Sequence, residues 1–376
     1  MPTSSIPVLH LIKSLGRGGA EILLAETLTA HDKEKFSFHY IYFLPWKNQL
    51  VAELELAGGI VSNFPAVNNL RIIFKFNEII RYIKKHDIQI IHCHLPWAGF
   101  LGRLIRLKTG IPVIYTEHNK QERYHFLTRL INKFTFNCQS LVIAVSDDVK
   151  TSIQHHIQPK IPVKTIFNGI NTEKFRRNDA AGLKIRSNLG IVNHAIVIGS
   201  LGVFRTQKRL DCWLELFAKL YSIHPEIRGI LVGDGPLKNE ILAKRKQLDL
   251  EDVVFLPGIQ TNAVDWYSAM DIFMMTSEFE GLPLSLLEAM SCECAVVATN
   301  AGGIKEVVIN KVNGFTAEVD NWKDLFYAVE LLIGDPILLK TVSQAARSRV
   351  TTNFSIQTMV AHLESTYTDY AHPRKY

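Results

Sequence analysis

No stretch of this chain reaches the run of about 18 consecutive apolar residues that a membrane-crossing helix needs. The opening MPTSSIPVLHLIKSLG lacks the charged-then-apolar layout of a secretory leader, so a soluble, cytoplasmic chain is expected. Cysteine is scarce: Cys93, Cys138, Cys212, Cys292 and Cys294 are odd in number and show no CxxC spacing. The one close pair, Cys292-Glu-Cys294, follows an apolar helical pattern in which buried thiols are common, so metal and redox roles are disfavoured. The glycines Gly16-Arg-Gly-Gly-Ala-Glu21 do not meet the dinucleotide GxGxxG pattern, and no Walker Lys-Ser/Thr follows them. That counts against a nicotinamide enzyme and a P-loop ATPase. A stripe of Lys and Arg interleaved with stacking aromatics is also missing, so no nucleic-acid partner is expected.

What is present suffices for two cores. The chain has 376 residues, 47% hydrophobic and 21% charged, and no segment has the composition of disorder. Charge is uneven: residues 1–170 hold 20 Lys and Arg against 12 Asp and Glu, whereas the remainder holds 22 against 24. Strand-length apolar runs alternate with helical patterns throughout. In the first half these are 8–12, 38–43, 88–92, 113–116 and 141–145; in the second, 195–198, 229–232, 253–256, 271–275 and 295–299. The pattern predicts an α/β chain of two Rossmann-like, parallel-sheet domains, 1–170 and 171–354, facing a central cleft. Turn chemistry at Phe167-Asn-Gly-Ile-Asn171 marks the break. The last segment, 355–376, has helical spacing.

The stretch SEFEGLPLSLLEAM, Ser277–Met290, places two carboxylates, Glu280 and Glu288, around Gly-Leu-Pro. Pro283 is expected at the first helical position, which puts Glu280 in a loop and Glu288 in the second helical turn. Gly281 and the free amides of the helix start suit a phosphate, and a carboxylate accepts two hydrogen bonds from a vicinal diol. The stretch therefore reads either as a sugar-phosphate cradle or as a solvated helix with two surface glutamates.

Three further turns carry chemistry. Gly16–Glu21 follows the first strand and opens a helix. Tyr115-Thr-Glu-His-Asn119 ends a strand, where His118 can hydrogen-bond a hydroxyl or transfer a proton. In Gly199–Arg209, Arg205 and Lys208 stand three apart and can clamp a diphosphate. Gly233-Asp-Gly-Pro236 repeats the strand-to-turn theme. His92 and His94, flanking Cys93, are expected on opposite faces of a strand and so not as joint metal ligands.

In this order the pieces resemble the retaining, nucleotide-sugar-dependent glycosyltransferases of GT-B architecture called family 4. The resemblance spans nearly the whole chain: GGAE at 18–21, TEHN at 116–119, VSDD at 145–148, NGIN at 168–171, Gln207-Lys208, VGDGP at 232–236, and Glu280 with Glu288 in EGLPLSLLEAM. It implies a nucleotide-sugar donor, most simply a UDP-sugar, held mainly by the second domain. Glu288 would bind the ribose, Gly281 and Leu282 the diphosphate, and Glu280 the transferred sugar. Lys208 with Arg205 would neutralise the leaving diphosphate, His118 would contact the donor sugar, and Gly18, Gly19 and Gly233 would line the donor. On the acceptor side stand Glu117, Asn119 and Arg123. No metal and no cofactor besides the donor is implied, and the final helix would pack back on the first domain. Two departures stand out: Val203 replaces an arginine common in relatives, and Cys292-Glu-Cys-Ala295 replaces Cys-Gly-x-Pro.

The implied acceptor is a glycan or lipid-linked glycan of surface polysaccharide or lipopolysaccharide synthesis. Lys120–Phe134 mixes aromatic, aliphatic and basic residues, with Arg103, Arg106 and Lys108 nearby. It reads either as an interfacial helix in peripheral contact with anionic lipid or as a core-facing helix with a basic outer side. A nucleotide-sugar epimerase and a non-catalytic sugar-nucleotide binder share the same features; acceptor-dependent release of the nucleotide diphosphate distinguishes the transferase from both.

Overall fold

The apolar runs become parallel strands because helical crossovers cover both faces of each sheet, so nearly every residue of the central strands is buried while the edge strands are only partly covered. The computed structural model describes residues 5–371, in two units. One runs to Gly169 and resumes at Ile356, and the other is Ile170–Ser355.

In the first unit the strands are β1 Ile6–Leu11, β2 Phe36–Tyr42, β3 Ile60–Asn63, β4 Ile90–His94, β5 Val113–Glu117, β6 Leu141–Ala144 and β7 Val163–Thr165. They pair in parallel in the order β3-β2-β1-β4-β5-β6-β7. In the second they are β8 Val197–Leu201, β9 Arg228–Val232, β10 Val254–Gly258, β11 Ile272–Met275, β12 Ala295–Thr299 and β13 Phe315–Ala317. Their order is β10-β9-β8-β11-β12-β13, again parallel throughout. The three strands absent from the sequence reading, β3, β7 and β13, are short edge strands. Pairing with a neighbour makes them strands, since IVSN, VKT and FTA carry too little apolar pattern by themselves.

Strand order reverses between β1 and β4 in one sheet and between β8 and β11 in the other. In such sheets the crevice beyond the carboxyl ends of those strands is where ligands bind.

The last helix, Ile356–Tyr370, belongs to the first unit and packs on the helix Gly19–Ala30. The Tyr367 hydroxyl lies 2.7 Å from Nδ1 of His92, and Glu364 accepts a 2.8 Å bond from the Asp32 amide and pairs with His31 at 2.9 Å. Residues 372–376 of the expected terminal segment lie outside the described residues.

One departure from the family pattern has a structural cost. Glu293, where relatives commonly carry glycine, takes φ +58° in the tight turn between the helix Leu284–Ser291 and β12. A side chain in the left-handed region is penalised by contact of its Cβ with backbone, and only a 3.6 Å pair with Arg347 offsets this. Glu293→Gly should raise stability by about 0.5–1 kcal/mol, read from the denaturant midpoint at unchanged slope.

Candidate functional site

In the second unit the loops after β8 and β11 are tied together. The Thr276 hydroxyl donates to the carbonyls of Lys208 and Arg209 at 3.1 and 2.8 Å, and the Glu278 amide donates to the Gln207 carbonyl at 2.8 Å. This brings Lys208 Nζ to 2.7 Å from Glu280 Oε1, which also accepts a 2.7 Å bond from the Ser277 hydroxyl. Glu280 is buried and Lys208 is 18% exposed, so the pair is shielded and still reachable. Glycine is required here: a Cβ on Gly302, at φ +61°, would lie 1.9 Å from the Glu280 carbonyl oxygen, and one on Gly233, at φ +134°, 1.9 Å from that of Gly202. A small pocket opens beside Lys208, lined by Ser200, Gly202, Val203, Phe204, Lys208 and Ser277 among others.

The helix carrying Glu288 begins at Leu284. Pro283 is its N-cap rather than its first residue, with an extended ψ of 123°. Glu288 Oε2 accepts a 2.8 Å bond from the Tyr267 hydroxyl, whose acidity is suppressed by burial and by that carboxylate. Gly281 accepts from the Gly303 amide at 2.8 Å, and Leu282 is buried. Arg205 is exposed and makes no hydrogen bond or ion pair among the described residues, whereas Lys208 is held against Glu280.

In the first unit Gly18 caps the helix Gly19–Ala30. The carboxylate of Glu21, held by the Ser14 hydroxyl at 2.9 Å, lies over the helix start, where a Cβ on Gly18 would collide with it at 2.4 Å. Beside this helix is a small pocket whose polar wall includes His10, His92, His94, Thr116 and His118. His118 Nε2 has no protein partner, and burial pulls the ring's pKa down to about 4. At neutral pH it is an uncharged hydrogen-bonding group, suited to a sugar hydroxyl.

Three sequence expectations are corrected. His92 and His94 share one face, because residues two apart in a strand point the same way, and the β1–β4 register sets His10 beside His92. One ring nitrogen from each of the three lies within 4.8 Å of the others. His10 Nδ1 is 3.0 Å from His94 Nε2, and both nitrogens of His92 are engaged by Tyr367 and Thr116. The His10 and His94 rings stack at 17°, and the His92 and His94 rings are tilted at 31°. Glu117 belongs to the opposite face of β5 from Thr116 and His118. It is fully buried, accepting from Tyr115, Gln121, Tyr124 and the Asn119 amide, so it braces the loop instead of lining the pocket. Arg103 is 1% exposed, not a surface charge. Asn119 and Arg123 are exposed.

The glycosyl transferases group 1 family matches residues 183–349, which include the whole Lys208–Glu280–Glu288 arrangement, and glycosyltransferase family 4 matches residues 17–174. The chain is a family 4 glycosyltransferase. Among its relatives is the N-acetyl-alpha-D-glucosaminyl L-malate synthase of Bacillus anthracis, 29% identical over 78% of each chain. Another is the UDP-Gal:alpha-D-GlcNAc-diphosphoundecaprenol alpha-1,3-galactosyltransferase of Escherichia coli, 25% identical over 80% of this chain and 81% of its own. The fold is shared with Anabaena Alr3699/HepE, solved with UDP: TM-score 0.86, 22% identity, covering 97% of this chain and 100% of that one. Both units of this glycosyltransferase thus have the Rossmann-like form of GT-B enzymes. The sequence reading of it missed Ser277, Tyr267, Thr116 and His10. Ser277 opened the quoted acidic stretch and could have been taken with it; His10 needed the register of β1 on β4.

Proposed function

We propose that this glycosyltransferase moves a hexose-type sugar from a UDP-sugar to a lipid-linked glycan with retention of anomeric configuration, in surface polysaccharide or lipopolysaccharide synthesis. The observation that carries this is the shielded Lys208–Glu280 pair at the reversal point between β8 and β11, a cation and a hydroxyl acceptor set side by side. The donor's diphosphate would draw Lys208 off Glu280, leaving the carboxylate to accept from hydroxyls of the transferred sugar. Glu288 would take the ribose diol, and the amides around Gly281 and Leu282, with Gly233, the phosphates. In the first unit His118, neutral, would hydrogen-bond a sugar hydroxyl, with Gly18 and Gly19 as further binding candidates.

Retention on this donor fits a front-face reaction. The C1–O bond to the diphosphate breaks as charge builds on the leaving oxygens, and the departing diphosphate takes the acceptor's proton while the acceptor oxygen bonds C1 on the same face. Lys208 supplies the charge that stabilises the leaving group, so no metal is required in this scheme. The UDP base is favoured by the neighbours solved with UDP and UDP-glucose and by the relative whose donor is UDP-Gal; that relative's acceptor is diphosphoundecaprenol-linked. Lipid-linked acceptors would place the enzyme on the cytoplasmic side of a membrane, in peripheral contact.

A thermal-shift panel of UDP, GDP, ADP and their sugar conjugates tests the reading. At a ligand concentration of about 100 Kd the native state gains roughly 2.7 kcal/mol, so a UDP conjugate should raise Tm by several degrees, and Glu288→Ala should remove most of that rise. Adding acceptor should then release UDP. A shift by no nucleotide, or interconversion of free donor with no acceptor dependence, would refute the transferase assignment.

A further inference from the structure

The helix Phe126–Thr135 is mounted inside out. Its polar residues face the protein: Asn132 is fully buried, donating to Gln121 at 3.1 Å and accepting from Arg103 at 3.0 Å, and Thr135 accepts from the same guanidinium at 2.8 Å. Arg103 Nε also donates to Gln139 at 2.9 Å, and the guanidinium lies over the rings of Phe100, Tyr115 and Phe136. The apolar residues face out: Phe126 and Phe134 are 61% and 76% exposed, and Leu127, Leu130 and Ile131 are exposed between them. At 100° per residue these five cover an arc of about 140°, and Arg129 and Lys133 flank it on one side. The helix Pro96–Thr109, packed on this one, adds exposed Leu104 and Leu107, and the helix Asn69–Phe74, packed in turn on that, adds Leu70 and Phe74.

The charge is as one-sided as the hydrophobicity. None of the three helices contains an Asp or Glu. Between Asp87 and Asp147 six Lys and Arg lie outside the core, Arg103 being buried, against Glu117, also buried, and Glu122, which pairs with Lys120. A second copy docked by a two-fold axis would set this basic rim against itself. An anionic bilayer surface complements it: aromatic and aliphatic side chains enter the headgroup boundary while Arg129 and Lys133 meet lipid phosphates.

We infer that the outward face of Phe126–Thr135, extended by the two neighbouring helices, docks on an anionic lipid surface. This gives the lipid-linked acceptor reading its physical partner and rests on it for its purpose. The helix begins eight residues after His118 in the chain, so the docking face and that histidine belong to adjoining segments of the first unit.

The test is co-sedimentation of the full chain with vesicles of phosphatidylglycerol and phosphatidylcholine in equal parts, and of phosphatidylcholine alone. The wild type should pellet with the anionic vesicles at least about tenfold better than with the neutral ones. Phe126→Ser/Leu130→Ser/Phe134→Ser should lose that binding about tenfold. Arg129→Gln/Lys133→Gln should lower it several-fold and flatten its salt dependence. Since all five residues are exposed, both variants should keep the wild-type Tm and its rise with UDP, which separates failure of this surface from failure of the donor site. Equal pelleting of the wild type on both vesicles, or of the triple variant and the wild type on anionic ones, would overturn the inference. So would a dimer abolished by the triple variant with no vesicle binding.

Discussion

Lys208→Ala should reduce kcat by about 10²–10³. In the proposed reaction nearly all the developing charge lands on the departing diphosphate, and Lys208 is the cation that the loops after β8 and β11 hold in place. Exposed Arg205, three residues earlier, is the other cation expected of this loop, and it sets the residual rate of the variant. Glu280→Ala should also lower turnover. The double variant should fall well short of the product of the two, because each removal leaves the other group without its 2.7 Å partner. Lys208→Ala also leaves a shielded carboxylate with only the Ser277 hydroxyl as a side-chain donor among the described residues, which should cost about 1–3 kcal/mol of stability. Activity must therefore be read well below the variant's Tm. Turnover of Lys208→Ala within threefold of wild type at saturating donor would place the leaving-group charge elsewhere. His118→Ala is expected mainly to reduce turnover as well. Because its ring titrates at about 4, no activity step near pH 6.5 should come from it.

Acid should unfold the first unit before the second. Burial holds His92 at about 3, His39 and His118 at about 4, and His10 and His94 well below the ordinary value, while His31 is lowered despite Glu364. The unfolded chain titrates these rings near 6.5. Between the folded and unfolded values it therefore binds protons that the native state refuses, so stability rises with pH there. The contribution is complete above about pH 6.5 and drains as the pH falls toward 4. For His92 alone the loss at pH 5 is about 2 kcal/mol. The stacked rings will not add independently, yet even two or three such terms are large beside a typical domain stability of about 5–15 kcal/mol. The histidines of the second unit, His194 and His224, lie outside its core. Amide exchange at pH 7 and pH 5 should show protection falling first in β1, β4 and β5, where His10, His92, Thr116 and His118 meet. Flat stability from pH 7 to 4.5, or earlier loss in β8 and β11, would show that these rings do not control acid unfolding.

Much of the second-unit site could be read from the chain, since its members lie in local motifs. Glu280, Gly281 and Glu288 fall within nine residues, and a Gly-Leu-Pro turn before an apolar helical pattern fixes their order along a loop and a helix. Lys208 came from the same logic after the preceding strand. Their meeting depended on something no local pattern carries: the Thr276 hydroxyl and the Glu278 amide bonding the backbone of the earlier loop. In the first unit the reading failed at His92 and His94 through a mistaken strand face. At Glu117 it failed because a motif residue had become a buried brace.

By itself the sequence determined the elements that local physics governs: buried parallel strands announced as continuous apolar runs, turns announced by glycine, and a division into two α/β halves. Tertiary structure decided what depends on residues distant in the chain. It set His10 beside His92 by strand register, since side-chain facing follows from pairing. It set Glu293 in a left-handed turn that glycine would occupy without strain. It also turned the helix Phe126–Thr135 outward: its apolar arc would suit a core equally well, but burying the Arg103 guanidinium requires the polar face of that helix to satisfy it.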